Sequence, residues 1–240
     1  MAQRELWHPE CGRVPVRRSA DDGGNDPQAA TPQCPHSSKI RGGQGKFGWL
    51  KRPENAGLFL PALEIFLLSL PFVGMACVID RQGYVTRYRE RHHRLWYICK
   101  MAFCVLAERA AKFADDNGRK LEIFFERSGN KEDRSIIQYM RELEREGNPF
   151  NQQTSGVYTP LSAEDYHRNI LGEPRWKTKE VAMIQIADLV LYPMAKGGYD
   201  SSYNPYRKLK ESGKLIDCLL TEDQILVGGN QYSCFDTQKD

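Results

Sequence analysis

Residues 120–133 read KLEIFFERSGNKED, and this stretch decides the fold because it passes from a strand through a turn into a helix. Residues 120–126 are mostly apolar and too few for a stable helix, so they predict a strand. The Ser-Gly-Asn sequence at residues 128–130 is a turn signal, and Gly147 closes the helix that follows. The apolar residues of that helix recur at helical spacing: Ile136, Ile137, Met140 and Leu143.

Further helical patterns lie on both sides of this unit. Apolar residues at three- and four-residue spacing predict a long helix over residues 87–114 and another over residues 179–194. Residues 203–212 predict a basic amphipathic helix, and Ser162 begins a capping box ahead of a short helix. A short edge strand is predicted over residues 156–159. Because strands alternate with helices, the pattern favours the α/β class.

The most apolar segment covers residues 58–79, and Glu64 is its only charged residue. Its length suits a membrane span. Pro61 and Pro71 interrupt it, however, and Glu64 would cost a few kcal/mol in the hydrocarbon. We therefore favour a soluble protein that makes no membrane contact.

In a soluble protein the same segment predicts two buried elements. A core helix runs from residue 53 to about residue 70, and a buried central strand follows over residues 72–79. We expect Cys77 and Val78 to face packed side chains. We expect Glu64 to reach solvent or a cation.

The first 33 residues differ in composition from the rest of the chain. They contain several charges and prolines and few large apolar residues. Such a segment cannot bury enough apolar surface to offset the entropy of ordering it. We therefore expect a disordered or non-homologous tail over residues 1–33 and one folded domain over residues 34–235.

The composition is that of a globular intracellular protein. Of the 240 residues, 40% are hydrophobic and 27% are charged, and a formal net charge of +3 does not by itself indicate a nucleic-acid partner. The seven cysteines form no C-x-x-C pair, which argues against a zinc ribbon and favours a reduced compartment. Charges and prolines stand where a secretory signal needs an apolar core, so we expect a cytoplasmic protein.

Two carboxylates stand where chemistry is expected. Glu126 ends the predicted strand, and ligands collect at the carboxyl ends of strands in α/β sheets. Asp188 lies in the apolar helical run MIQIADLV at residues 183–190, where a carboxylate must be paired, protonated or metal-bound. The alternatives are an ordinary charged residue at the strand end for Glu126, and a salt bridge or a solvent-facing position for Asp188.

These two carboxylates suit a hard divalent cation, Mg²⁺ or Mn²⁺, which polarises a phosphodiester and activates water. We therefore expect Glu126 and Asp188 to share one cleft at one end of the sheet. Two-metal sites usually need three or four carboxylates, and the further candidates are Asp80 and Asp133. Asp133 also suits the positive end of the helix in whose first turn it lies.

Basic and aromatic residues alternate over residues 81–112. Eight basic residues stand there against two acidic ones, with tyrosine, tryptophan and histidine between them. Basic side chains neutralise phosphates while aromatic rings stack on bases, so the run is compatible with nucleic-acid contact. A solvated helix face is the more common meaning of such a run.

Three sequence blocks resemble the family known as domain of unknown function 3800. They are HSSKIR at residues 36–41, ERSGNKED at residues 126–133 and QIADL at residues 185–189, of which the last is the most specific. Together they span about residues 34–235. The resemblance implies a ribonuclease-H-like α/β fold, with a mixed sheet flanked by helices.

The resemblance also implies roles for particular residues. Glu126 and Asp188 correspond to the catalytic carboxylates that would bind Mg²⁺ or Mn²⁺. Lys177, Arg127 and His36 correspond to residues that would assist phosphate binding or proton transfer.

The chain departs from the family pattern at its start. The family begins with an apolar strand that carries Asp-Glu-Ser-Gly, and no such segment precedes His36. Glu180 and Met183 also differ from the residues usual in the third block. We therefore expect the opening strands to be missing or replaced in a truncated or reading-frame-shifted chain. Such a chain would be marginally stable and weak or inactive as a nuclease, and its exposed sheet edge would favour self-association or a protein partner.

Three functions remain open. The first is a divalent-metal-dependent nuclease-like protein, and the second is a non-catalytic module that binds nucleic acid or a protein on the same scaffold. An enzyme acting on a small phosphorylated substrate is the third, since fold does not fix function. Three or more carboxylates in one cleft would favour the enzyme. Two carboxylates beside an exposed apolar sheet edge would favour the binding module.

Overall fold

The computed structural model describes residues 36–79, 97–149 and 158–224. Within these ranges, seven α-helices accompany one two-stranded sheet, which is broadly the α/β class that the sequence predicts. The helices are α1 (Ser37–Arg41), α2 (Pro53–Ser69), α3 (Tyr97–Asp116), α4 (Asn130–Glu146), α5 (Ala163–Asn169), α6 (Ala182–Tyr199) and α7 (Asn204–Glu211). The strands are β1 (Phe124–Glu126) and β2 (Arg175–Lys177), and 3₁₀ helices cover Gly45–Lys51 and Ile216–Cys218.

The sheet is a parallel pair. Phe124 lies opposite Arg175, and Glu126 lies opposite Lys177. The backbone N–H of Arg127 donates to the Lys177 carbonyl at 2.9 Å and so continues the ladder beyond Glu126. Both strands therefore end at the same edge of the sheet, which is the edge where ligands collect in parallel sheets.

Two expectations about the sheet need correction. The strand predicted over residues 120–126 is regular only at Phe124–Glu126. In the part of the chain that the structure describes, the sheet is parallel and not mixed. The sequence analysis also missed β2, because Arg-Trp-Lys has no apolar run and becomes a strand only by pairing with β1.

The helices follow the predicted pattern more closely. Helix α4 ends at Glu146, and Gly147, with φ of 75°, donates its N–H to the Leu143 carbonyl at 2.9 Å. Helix α6 begins three residues later than predicted, because Thr178 and Val181 form a turn ahead of it, and it continues through Pro193 to Tyr199. The capping box of Ser162 is present at the start of α5.

The apolar segment over residues 58–79 differs from its prediction. Helix α2 forms but has no buried residue, so it is not the expected core helix. Residues 72–79 form no regular strand, since only Gly74 bridges to Leu215. Glu64 was expected to reach solvent or a cation, and it contacts the ammonium of Lys208.

The rest of this segment was predicted to pack against other side chains. Val78 is buried and Cys77 is half-buried, as predicted. Among the described residues, no helix is long and apolar enough to cross a membrane.

Three groups of buried side chains form the core. One joins α3, α4 and α5; the second joins residues 76–78 to α6 and α7; the third joins α1 and the 3₁₀ helix at Gly45–Lys51 to α6. Their members are Cys104, Ala107, Met140, Leu143, Tyr166 and Ile170 in the first; Ala76, Val78, Val190, Met194, Leu209 and Leu215 in the second; and Ile40, Phe47, Leu50 and Leu189 in the third. The third group holds α1 against the part of α6 that carries Asp188.

Several predictions from the sequence lie outside the described residues. They concern the tail over residues 1–33, Asp80, and residues 81–96 of the basic and aromatic run. The predicted edge strand over residues 156–159 lies half outside, and Tyr158 and Thr159 are not in a strand.

Two helical glycines give opposite stability predictions. A Cβ on Gly197 would overlap the ring of Tyr206, whereas a Cβ on Gly57 would meet nothing within 4 Å. We expect Gly197→Ala to lower the free energy of unfolding by about 1–3 kcal/mol, because α7 must move away from α6. We expect Gly57→Ala to raise it by about 0.5–1 kcal/mol, because alanine loses less backbone entropy on folding. Urea unfolding measures both, and equal effects of the two substitutions would contradict the packing of α7 on α6.

Candidate functional site

Glu126 lies at the carboxyl edge of the parallel sheet. It is the last residue of β1, and the chain turns from it into α4 through residues 127–129. The buried carboxylate of Asp133 holds that turn, because its Oδ1 accepts the backbone N–H of Ser128 at 3.0 Å and of Gly129 at 3.4 Å. Asp133 therefore has a structural role in shaping the loop beside Glu126.

Asp188 projects from α6 toward the start of α1. Its Oδ2 accepts the backbone N–H of Ser37 at 3.0 Å and lies 3.3 Å from Nδ1 of His36. These contacts explain a carboxylate within an apolar helix, since a half-buried charge needs hydrogen-bond partners. The neighbouring residue Leu189 packs with Ile40 of α1, so the same two helices are joined by apolar contacts as well.

Lys179 stands between the two carboxylates. Its Nζ lies 3.4 Å from Oε1 of Glu126 and 3.3 Å from Oδ2 of Asp188. The same ammonium is 2.7 Å from Nε2 of His36. The Lys179 side chain is only 16% exposed, so solvent screens these contacts less than it would at an open surface.

His36 lies against both charged groups of the site. Nζ of Lys179 is 2.7 Å from Nε2 and 3.2 Å from Nδ1 of the imidazole, and Oδ2 of Asp188 is 3.3 Å from Nδ1. The ammonium and the carboxylate together therefore hold the imidazole at the start of α1.

Gln185 secures the segment that carries Lys179. Its side-chain amide donates to the backbone carbonyl of Lys179 at 2.6 Å. Gln185 and Asp188 belong to one helix and to the QIADL block. The QIADL block therefore supplies both Asp188, which pairs with the ammonium of Lys179, and Gln185, which holds the backbone of Lys179.

The structure brings together three of the five residues that the sequence singled out. Glu126, Asp188 and His36 meet around Lys179. Lys177 and Arg127 lie next to this group along the strands but point to aromatic rings. Nζ of Lys177 is 4.9 Å from the ring centre of Phe124, and the guanidinium of Arg127 is 4.6 Å from that of Trp176.

Lys179 is the site residue that sequence reasoning missed. Arg175, Lys177 and Lys179 alternate along the chain, and spacing alone does not indicate which of them reaches the carboxylates. The decisive fact is that β2 ends at Lys177, so Lys179 lies beyond the strand and turns toward α6. Lys179 could have been identified only if residues 175–177 had been recognised as a strand.

The site contains two carboxylates and one imidazole. Within residues 36–79, 97–149 and 158–224, no group of three or more His, Cys, Asp or Glu is arranged to hold a metal ion. The point between Glu126 and Asp188 nevertheless attracts positive charge, because an ammonium lies there. The arrangement can therefore bind a cation, orient an imidazole and present an ammonium to an anion.

Comparison with known proteins identifies a relative in Sinorhizobium fredii (strain NBRC 101917 / NGR234), whose description is uncharacterized protein y4pM. The two sequences are 35% identical over 205 residues, which is 84% of this chain and 74% of that protein. No family model matches the chain, and no solved structure matches it. At this identity and coverage the two chains share one family.

Proposed function

The chain belongs to the same family as the y4pM protein of Sinorhizobium fredii, and we propose that it is a divalent-metal-dependent nuclease-like protein. The observation that carries the proposal is the contact of one ammonium, that of Lys179, with both Glu126 and Asp188. We propose a ribonuclease-H-like architecture on the resemblance to the domain of unknown function 3800, and a cytoplasmic location on the composition.

The donor set suits one hard cation. Mg²⁺ is commonly held by one or two carboxylates together with water and substrate phosphates. Glu126 and Asp188 would supply the two carboxylates at the point that Lys179 now reaches. When bound, such an ion polarises a phosphodiester and lowers the pKa of a bound water.

The protein's own residues would serve the same reaction. Lys179, released from the carboxylates, is long enough to contact a substrate phosphate near the same edge. His36, which lies beside Asp188, has a ring nitrogen available to hold a proton once Lys179 has moved. Lys177 and Arg127 would hold phosphates on the two sides of the strand pair.

Two features predict weak activity. The site has two carboxylates, whereas two-metal nuclease sites usually have three or four. Lys179 also competes with the metal ion for both of them. We therefore propose slow cleavage that needs millimolar Mg²⁺ or Mn²⁺.

The test is hydrolysis of labelled single- and double-stranded oligonucleotides with Mg²⁺ or Mn²⁺. We expect slow cleavage that a chelator stops and that Asp188→Asn and Glu126→Gln each lower at least tenfold. The amide oxygen that Asp188→Asn introduces can still accept the Ser37 N–H, so the fold should persist, which circular dichroism verifies. The matched control is Asp200→Asn, a half-buried aspartate after the end of α6 that faces Lys196.

Two outcomes would contradict the proposal. Cleavage that survives both substitutions would originate from another site or a contaminant. A chain that neither cleaves nor binds Mn²⁺ in a calorimetric titration would lack the metal site altogether.

A second candidate is the non-catalytic binding module. It is favoured by the small number of carboxylates and by the exposure of Phe124 and Trp176 on the strand pair, which are 42% and 46% exposed. Nucleic-acid binding without Mn²⁺ binding and without cleavage would support this candidate over the first.

A further inference from the structure

A groove with an aromatic wall runs beside β2. It has a volume of about 750 Å³ and is lined by Ile137, Leu171, Glu173, Arg175, Trp176 and Lys177, which we call the Trp176 groove. Leu171 and Trp176 are large apolar side chains that are 51% and 46% exposed. Exposed apolar surface inside a concave site commonly marks a binding surface.

The charge around the groove is positive. The carboxylate of Glu173 pairs with Arg141, and that of Glu122 on the neighbouring chain segment pairs with Arg175. Among the residues that the structure describes, Arg127 and Lys177 have aromatic partners and no carboxylate partner. Consecutive strand residues point to opposite faces, so Lys177 lies on the Phe124 face of the strand pair, and Arg127 is the cation that lies beside the exposed indole of Trp176.

This combination is complementary to a single-stranded nucleic acid. Unpaired bases expose flat faces that stack on aromatic side chains, and their phosphates attract nearby cations. A duplex hides its base faces, so the indole would contribute little to duplex binding. An acidic peptide would pair with the positive charge of the groove, but it would not stack a base on the flat indole.

The groove leads toward the candidate site. Strand β2 ends at Lys177, and the chain passes through Thr178 to Lys179, whose ammonium contacts Glu126 and Asp188. A nucleic-acid strand held on Trp176 that passes the end of β2 would therefore place a neighbouring phosphodiester near the two carboxylates.

We propose that the Trp176 groove binds single-stranded nucleic acid, with a base stacked on Trp176 and a phosphate on Arg127. The binding itself is independent of metal. Its role as the substrate track rests on the proposed function of the Glu126–Asp188 site.

The experiment uses the full chain in EDTA and measures fluorescence anisotropy of labelled 12-mer strands, oligo-dT and oligo-rU, and of a duplex of equal length. We expect single strands to bind at least fivefold more tightly than the duplex. We expect Trp176→Ala to weaken single-strand binding about tenfold, as loss of one stacked base does, and Trp176→Phe to retain most of the affinity. Arg127→Met should lower the number of ions released on binding, read from the slope of log affinity against log salt concentration, by somewhat less than one.

The control substitutions remove an aromatic ring and a cation at positions away from the Trp176 groove. Tyr199→Ala removes an exposed aromatic residue at the end of α6, and Arg145→Met removes an exposed cation near the end of α4. Both should bind within twofold of the unaltered chain. The proposal is overturned if Trp176→Ala binds as the controls do, if the duplex binds as tightly, or if poly-glutamate competes as well as an oligonucleotide.

The outcome separates the groove from the nuclease proposal. The binding assay is run in EDTA and therefore needs no metal ion. Absence of cleavage in the hydrolysis assay thus does not contradict binding in the Trp176 groove. Metal-dependent cleavage that Trp176→Ala does not alter would overturn the role of the groove as the substrate track and leave the nuclease proposal standing.

Discussion

Replacing Lys179 with methionine is expected to raise the affinity for Mn²⁺ about a hundredfold. The ammonium lies within 3.4 Å of a carboxylate oxygen of Glu126 and of Asp188, so a metal ion must displace it from both. Two unit charges about 4 Å apart interact by about 4 kcal/mol at an effective dielectric constant of 20. A hundredfold change corresponds to about 2.7 kcal/mol, which allows for partial screening of the half-buried site. Methionine keeps the apolar stem of lysine, so packing around the stem is retained.

Calorimetric titration with Mn²⁺ measures this effect. The matched control is Lys196→Met, which removes a half-buried cation of α6 that faces Asp200. That variant should bind Mn²⁺ within twofold of the unaltered chain. Lys179→Met should also melt at a lower temperature in EDTA, because two carboxylates lose their shared cation, and Mn²⁺ should restore its melting temperature. An unchanged or lower Mn²⁺ affinity would show that Lys179 does not compete with the metal ion.

The second large effect is expected from Glu108→Ala, which should lower the free energy of unfolding by about 3–5 kcal/mol. Glu108 is 2% exposed and lies on α3. Its carboxylate accepts the backbone N–H of Leu161 at 2.8 Å and the hydroxyl of Tyr158, and it lies 3.4 Å from Nζ of Lys112. Removal of the carboxylate leaves these donors without a charged acceptor in a buried place.

The protonation state of Tyr158 supports the expected loss of stability in Glu108→Ala. Burial, together with the hydrogen bond to Glu108, raises the pKa of Tyr158 far above its ordinary value. The phenol therefore stays protonated and donates to Glu108 throughout the pH range in which the protein would be studied. This contact joins α3 to the segment that leads into the capping box of α5.

Urea unfolding measures the loss of stability. Glu211→Ala is the matched control, because it removes a carboxylate whose pair with Arg207 is exposed on α7. An exposed pair of this kind contributes at most about 1 kcal/mol. Equal losses in the two variants would mean that the buried carboxylate of Glu108 does not hold α3 to the following segment.

The helices were predictable because their signals are local. Apolar spacing and Gly147 placed α4, the Ser162 capping box placed α5, and basic amphipathic spacing placed α7. Side chains three and four residues apart share a helix face, so a short stretch of sequence contains the information. Helix α2 also formed where it was predicted, but its exposure was not predicted, because burial depends on what packs against it.

The strands and the candidate site depended on distant parts of the chain. Strand β2 is a three-residue segment with two charges, and only its pairing with β1 makes it a strand. Residues 72–79 are apolar enough for a strand yet form only one bridge, at Gly74. Strand pairing joins segments that are far apart in sequence. Local composition therefore does not predict whether residues 175–177 or residues 72–79 form a strand.

The sequence by itself determined the helical framework, the α/β class and the choice of Glu126 and Asp188 as residues of interest, because a charged residue in an apolar pattern is visible locally. Only the tertiary structure decided that Lys179, rather than Lys177, lies between them. Their meeting requires β1, β2, α1 and α6 to pack together, and such contacts between distant segments arise only in the folded chain.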